Sequence, residues 1–221
     1  MAKQNIEKSP PKGNIRFAVT LSEEQKIAKT EILNHPYNFV VGKAGSGKTL
    51  LAVQIALDQF FKRQYNKIII TRPTISTEDN GFLPGSEREK MEPWLVPIRS
   101  NMRKVYNKPQ KLEKLEKEEK IELVSLAHFR GRTFDNAVVI VDEYQNLSKS
   151  QLAMCIGRLG KDSKMIFCGD SYQIDLRDKQ HSAYHDMAKL TNSKYVFKTV
   201  LTDSHRHAAI EDLLELLNGY H

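Results

Sequence analysis

The chain has 221 residues and 40% hydrophobic composition, enough for one sizeable α/β domain and short of two. Its formal net charge of +7 favours polyanionic partners, nucleic acid first among them, although the lysines are scattered and no aromatic RNA-binding stripe or zinc-finger spacing accompanies them. The composition argues against a membrane span (no run of about eighteen apolar residues), a secretory signal (no apolar core in MAKQNIEKSPPKGN) and a disulfide framework (Cys155 and Cys168 stand outside any CxxC pair), so a cytoplasmic, non-membrane protein is expected.

Residues 1–18, with lysines and the Pro10-Pro11 pair, read as a flexible basic tail, and 19–221 as one domain. Thr20-Leu21-Ser22-Glu23-Glu24-Gln25 has the look of a capping box opening a helix. Short apolar runs at 38–41, 67–71, 121–125, 137–141, 164–168 and 195–201 read as strands buried on both faces, the pattern of a parallel sheet. Helical patterns fall between them at 48–63, 149–159, 183–189 and 208–218, so a doubly wound α/β fold with helices on both faces is expected. Two stretches exceed this repeat. Residues 74–85 are polar, end in Leu83-Pro84-Gly85 and read as a loop. Residues 86–120 read as helical but interrupted near Pro93, Pro97 and Pro109. Within them KLEKLEKEEK offers the pairs Glu113 with Lys117 and Glu116 with Lys120 along a solvated helix face.

The strongest chemical signal is Gly42-Lys43-Ala44-Gly45-Ser46-Gly47-Lys48-Thr49, which matches G-x-x-x-x-G-K-[ST] at every fixed position. Glycines let the backbone turn its N–H groups toward phosphates, and the following helix adds its positive N-terminal end. Lys48 is placed to reach the β- and γ-phosphates and the Thr49 hydroxyl to ligate Mg²⁺, which makes Mg-ATP the expected ligand. The pattern arises by chance in roughly 1% of chains this long, and here it also sits between a strand and a helix, as the chemistry requires.

Ala137-Val138-Val139-Ile140-Val141 ends in Asp142-Glu143, and acids cannot continue a buried strand. They therefore fall at its carboxyl end, where α/β sheets bind ligands, with Asp142 expected at the Mg²⁺ and Glu143 on the attacking water. A third strand runs into Gly169-Asp170-Ser171-Tyr172-Gln173. Gln173 reads either as a contact to the γ-phosphate or water, or as part of a turn capping the next helix. Gln25 reads either as an adenine contact, its amide having a donor and an acceptor, or as a surface glutamine. His181/His185 and His205/His207 lack the cysteines or carboxylates that would complete a zinc site.

GKAGSGKT, DEYQN and GDSYQIDL together resemble the PhoH family of phosphate-starvation-inducible ATPases. Thr71-Arg72-Pro73, Gly81-Phe82-Leu83-Pro84-Gly85 with Glu89-Lys90 and Pro93, and Arg130-Gly131-Arg132-Thr133-Phe134 extend the resemblance over 21–218. It implies a RecA-like core related to the first domain of superfamily 1 helicases, ATP hydrolysis, action on single-stranded RNA or DNA, a Q-motif-like adenine contact at Gln25 and a γ-phosphate sensor at Gln173. Three residues depart from it: Tyr144 stands where the family usually has a small residue, Trp94 where it often has Tyr and Arg177 where Pro is common. The nuclease domain of some relatives is not expected ahead of the P-loop.

Superfamily 1 helicases take an arginine to the γ-phosphate from a second RecA-like domain, and only one such domain is expected here. Because that arginine is worth on the order of 10³–10⁵ in rate, the sequence suggests one delivered in trans within a homo-oligomeric ring such as a hexamer. Arg206 is the first candidate and Arg130 and Arg132 the alternates. Two other functions compete with an ATP-driven motor on nucleic acid. One is a nucleotide-gated assembly module with slow turnover. The other is a nucleoside kinase, disfavoured because two separated cysteines do not make a four-cysteine zinc lasso.

Overall fold

The computed structural model describes residues 16–73, 87–204, 209, 210, 213 and 216. The expected tail up to 15, the loop at 74–85 and most of the helix at 208–218 lie outside the described residues. Six strands form one sheet in the order β3-β2-β4-β5-β1-β6. They are β1 (Tyr37–Gly42), β2 (Lys67–Thr71), β3 (Ile121–Val124), β4 (Ala137–Val141), β5 (Lys164–Gly169) and β6 (Val196–Leu201). Every pairing is parallel, so all strands end on the same edge.

The strands are apolar because both faces are covered. On one face Val40, Ile68, Ile70, Val138, Ile140, Ile166 and Cys168 pack with α1 (Glu23–Asn34), α2 (Lys48–Phe61), α3 (Glu87–Val105) and α4 (Pro109–Lys117). Their alternates Phe39, Val41, Ile69, Val139, Val141, Met165 and Phe167 face the other way, against α5 (Lys149–Ile156), Ala183 and Met187. The period-2 alternation thus divides one apolar string between two cores. Cys155 and Cys168 are buried, unbonded thiols, and burial pushes both upward, Cys155 to about 12.

The region 86–120 differs from the sequence expectation. Helix α3 runs through Pro93 and Pro97 without a break, and Pro109 begins α4. Each internal proline deletes a helical hydrogen bond. Leu95, Ile98, Met102 and Val105 nonetheless bury one stripe of α3, and such burial supplies most of a helix's stability. The charges of α4 also differ: Glu116 pairs with Arg99 at 3.2 Å and Glu113 with Arg103 at 3.7 Å, tying α4 to α3, while Lys114 and Glu118 form a pair along α4 itself. The expected helix at 183–189 is a 3₁₀ turn, Ala183–Asp186, continued by α6 (Met187–Leu190).

Helix α1 is tied at both ends. Ser22 and Gln25 form a reciprocal capping box at its start. At its end the buried Lys164 ammonium donates to the carbonyls of Ile32, at 2.6 Å, and His35, a cation at the negative end of a helix. Burial still depresses Lys164 to about 8.

Candidate nucleotide site

Parallel strands bring four segments distant in sequence to one edge. The Gly42–Thr49 stretch follows β1, Arg72 follows β2, Asp142-Glu143 follows β4 and Asp170 follows β5. Since β4 lies between β2 and β5, and β5 borders β1, these ends are adjacent.

The P-loop closes on Gly47, whose φ of 81° before the first turn of α2 suits glycine. A side chain at Gly42 would put its Cβ 2.4 Å from the Leu201 carbonyl oxygen, so this loop also needs the close approach that glycine permits. The Lys48 ammonium donates to the carbonyls of Gly42 and Lys43 at 2.8 and 2.9 Å, which folds it over the loop's own rim. The Ser46 hydroxyl is buried with no hydrogen-bond partner among the described residues. A cradle lined by glycines, with a lysine across its mouth, fits a polyphosphate. Gln25 is buried, not a surface residue: its Nε2 donates to the Ser46 carbonyl at 3.3 Å while its Oε1 accepts from the Ser22 N–H.

Beside the loop, the Thr49 hydroxyl donates to Asp142 Oδ1 at 2.7 Å. Asp142 is almost wholly buried, and its pKa rises to about 6, first through burial and then through the charge of Glu143. The Thr49 hydrogen bond, Arg72 and Lys48 oppose the rise. A buried carboxylate held short of full compensation suits a divalent cation. Among the described residues no three His, Cys, Asp or Glu side chains gather as a metal site. A hydroxyl and one carboxylate are, however, the usual protein share for a Mg²⁺ held mostly by phosphates and water.

Glu143 adopts left-handed backbone geometry, with φ 53° and ψ 41°. A non-glycine residue there costs about 1–3 kcal/mol and concentrates at functional sites. Both carboxylate oxygens have donors: Arg72 Nη2 stands 3.3 Å from Oε1, and Gln145 Nε2 lies 2.7 Å from Oε2. Gln145 is fully buried and joins this site to the loop after β5. Its Nε2 also donates to the Gln173 carbonyl at 2.9 Å, and its Oε1 accepts from the Asp170 N–H at 3.1 Å. Asn146 Oδ1 accepts from the Asp175 N–H at 2.8 Å. The backbone of Gln173 is thus fastened to the acidic strand end.

Tyr144 turns away from the site. Its ring is buried against Phe39, Phe167 and Tyr184, and its hydroxyl donates to Met187 Sδ at 3.1 Å. A Cβ on Gly169 would sit 2.4 Å from that ring, so glycine at 169 is what allows a tyrosine at 144.

Of the sequence-predicted residues, the structure brings together Gly42, Lys43, Ala44, Gly45, Ser46, Gly47, Lys48, Thr49, Gln25, Asp142, Glu143 and the Gln173 backbone. Arg206 lies outside the described residues. Arg130 is exposed, and Arg132 pairs with Glu122 at 2.8 Å near Lys67, which opens β2. Gln145 had no assigned role, and Arg72 entered only through Thr71-Arg72-Pro73. The available signal was position: each follows or nearly follows an apolar strand on the edge where ligands bind.

A family model described as PhoH-like protein matches residues 18–218. A PhoH-like protein of Synechocystis sp. is 41% identical over 172 residues, covering 77% of this chain and 52% of that relative. A PhoH-like protein of Bacillus subtilis (strain 168) is 35% identical over 219 residues, covering 97% of this chain and 67% of the relative. The chain spans about half to two thirds of the length of these curated relatives. Among solved structures, the Pif1 helicase of Candida albicans shares the fold at a TM-score of 0.52 and 17% identity, over 91% of this chain and 44% of that one. Its family-model match, its relatives and its parallel sheet with a P-loop after β1 make the chain a member of the PhoH-like family of P-loop ATPases, on a RecA-like fold.

Proposed function

We propose that this chain binds Mg-ATP on residues 42–49 and hydrolyses it, coupling turnover to the binding or remodelling of single-stranded RNA or DNA. The observation that carries the reading is the 2.7 Å contact of Thr49 with Asp142 beside a Glu143 fixed at the strand end. Lys48 exchanges the carbonyls of Gly42 and Lys43 for the β- and γ-phosphates, gaining charge-assisted hydrogen bonds. Mg²⁺, when bound, neutralises phosphate oxygens and would be held by Thr49 and Asp142. Glu143 accepts the proton of a water whose oxygen attacks the γ-phosphorus, while the bond to the ADP oxygen breaks and Lys48 stabilises the charge left there. Gln173 lies on the loop that Gln145 secures through the Gln173 carbonyl, and its amide would sense the γ-phosphate or the attacking water. Gln25 positions the P-loop, and its amide is the group an adenine edge would share.

The net charge of +7 and a fold shared with a Pif1 helicase support the nucleic-acid part of the reading. Its test is steady-state ATP hydrolysis with Mg²⁺, with and without single-stranded RNA and DNA, using Lys48→Ala as the blank. Stimulation by one polymer, severalfold or more and weakened by salt, is the expected result. Turnover above the blank but indifferent to both polymers would sink the nucleic-acid assignment.

The alternative reading is a module whose nucleotide state gates assembly with slow turnover. Polymer-independent turnover would select it.

A head-to-tail homo-oligomeric ring, such as a hexamer, completes the proposal. A neighbour would bring Arg206, or failing that Arg130, to the γ-phosphate. Arg132, already committed to Glu122, is the weaker alternate. Light scattering with and without ATP should give a mass several times that of the 25.4 kDa chain. A monomer that turns over normally would exclude the ring.

A further inference from the structure

We propose that Arg72 is a catalytic arginine supplied by the chain to its own active site, bridging Glu143 and the γ-phosphate in the transition state. This rests on the ATPase reading above and adds a residue that the P-loop motifs do not contain.

Arg72 lies immediately beyond β2, and β2 borders β4 with Thr71 opposite Val141. The Asp142 N–H donates to the Thr71 carbonyl at 2.9 Å, so the sheet's own hydrogen bonding sets the two strand ends side by side. The guanidinium follows from that register, with Nη2 3.3 Å from Glu143 Oε1 and Nη1 3.8 Å from Asp142 Oδ2. Asp142 in turn lies 2.7 Å from the Thr49 hydroxyl. Arg72 therefore stands beside both acids that the reading places on the water and on the metal. Its side chain is about three-quarters buried, so its charge is poorly screened by solvent.

The chemistry favours more than a clamp on Glu143. A guanidinium carries five N–H donors in a planar fork, and one contact to Glu143 Oε1 leaves others to spend. Glu143 already receives a shorter bond on its other oxygen from Gln145, so a neutral donor suffices to orient it. Lys48 reaches across the P-loop to the carbonyls of Gly42 and Lys43, while the Arg72 guanidinium stands 3.8 and 3.3 Å from the two acids. Lys48 serves the leaving side of the phosphate, and Arg72 stands with Glu143 on the attacking side. Positive charge aimed there in a partly desolvated site is the role an arginine finger plays in phosphoryl transfer. Coming from the same chain, it acts beside the arginine that a neighbour would bring and does not replace it.

The test separates action on the phosphate from action through Glu143. Wild type, Arg72→Ala, Arg72→Lys, Glu143→Gln and the Arg72→Ala/Glu143→Gln pair are compared in the full chain. Three quantities are read: kcat, affinity for a non-hydrolysable ATP analogue, and affinity for ADP with aluminium fluoride, a mimic of the transferring phosphoryl group. Arg72→Ala should lower kcat by about 10³–10⁵-fold and leave analogue affinity within about threefold. It should weaken the transition-state mimic by about 10²-fold or more, equally in the Glu143→Gln background. Arg72→Lys should recover only part of the loss, because an ammonium lacks the fork. If Arg72→Ala leaves the mimic's affinity unchanged in the Glu143→Gln background, Arg72 acts only by holding Glu143 and the proposal is overturned. The retained analogue affinity reports that each variant is folded, and where Arg72→Ala fails that control Arg72→Lys decides by the same two affinities. Wild-type turnover no higher than that of Lys48→Ala would instead remove the ATPase reading, and this proposal with it.

Discussion

Replacing Glu143 with Gln should cut ATP turnover by about 10²–10⁴-fold, the usual contribution of a general base, while ATP binding is retained. The substitution is isosteric and removes the carboxylate that the proposal assigns to the attacking water. Glutamine keeps a single carbonyl oxygen, so it accepts from either Arg72 or Gln145 and presents an amide N–H to the other. The positioning network is therefore weakened along with the base. Binding should hold because the P-loop contacts are untouched, and it should tighten if it changes, since a negative charge next to the γ-phosphate site is gone. The measurement is single-turnover hydrolysis beside calorimetric titration with ATP. Lys48→Ala should show the opposite division and lose binding. A Glu143→Gln chain that turns over at the wild-type rate would remove Glu143 from the water.

Replacing Asp142 with Asn should abolish turnover and make the nucleotide-free chain more stable at pH 8. The two effects share a cause. Burial and the Glu143 charge raise the Asp142 pKa to about 6, above the value near 3.9 it takes in an unfolded chain. Between those values the folded state binds more protons than the unfolded one, so stability falls as pH rises from about 4 through about 6 and then levels off. At pH 8 the empty site carries the full penalty. Asn still accepts from the Thr49 hydroxyl and carries no charge, so the penalty disappears and Tm should rise by a few degrees, each kcal/mol being worth about 2–4 °C in a chain of this size. Below pH 4 the gain should vanish. Turnover should drop at least about 10²-fold because an amide is a poor ligand for a hard divalent cation worth several kcal/mol to the transition state. Thermal melts from pH 4 to 8, with hydrolysis assays alongside, test both. A Tm difference that does not depend on pH would contradict the account of Asp142 as a burdened buried acid.

This trade-off has a counterpart in the backbone. Glu143 sits in left-handed geometry, and Gln145 and Asn146 immediately after it are spent on fastening the loop that carries Gln173. The short DEYQN segment thus combines two acids, which the proposal assigns to the metal and the water, with a ring packed into the core and two amide tethers.

Sequence alone determined the elements whose cause is local. The six strands are apolar because both faces are covered, and that writes itself into composition. The P-loop is legible because glycine, lysine and threonine must occur at fixed offsets for a short loop to wrap a phosphate. The Asp142-Glu143 pair is legible because acids cannot lie within a buried strand. What only the tertiary structure decided depends on which strands are neighbours. The order β3-β2-β4-β5-β1-β6 brings Arg72 to Glu143 across 71 positions of sequence, counted from 72 to 143, and brings Gln145 to the loop after β5. Pro93 and Pro97 looked like helix breaks, since their local cost is written in the sequence. The buried stripe of Leu95, Ile98, Met102 and Val105 that offsets it exists only once α3 lies against the core. Local rules read what a residue does to its own backbone, and long-range packing decides what that residue touches.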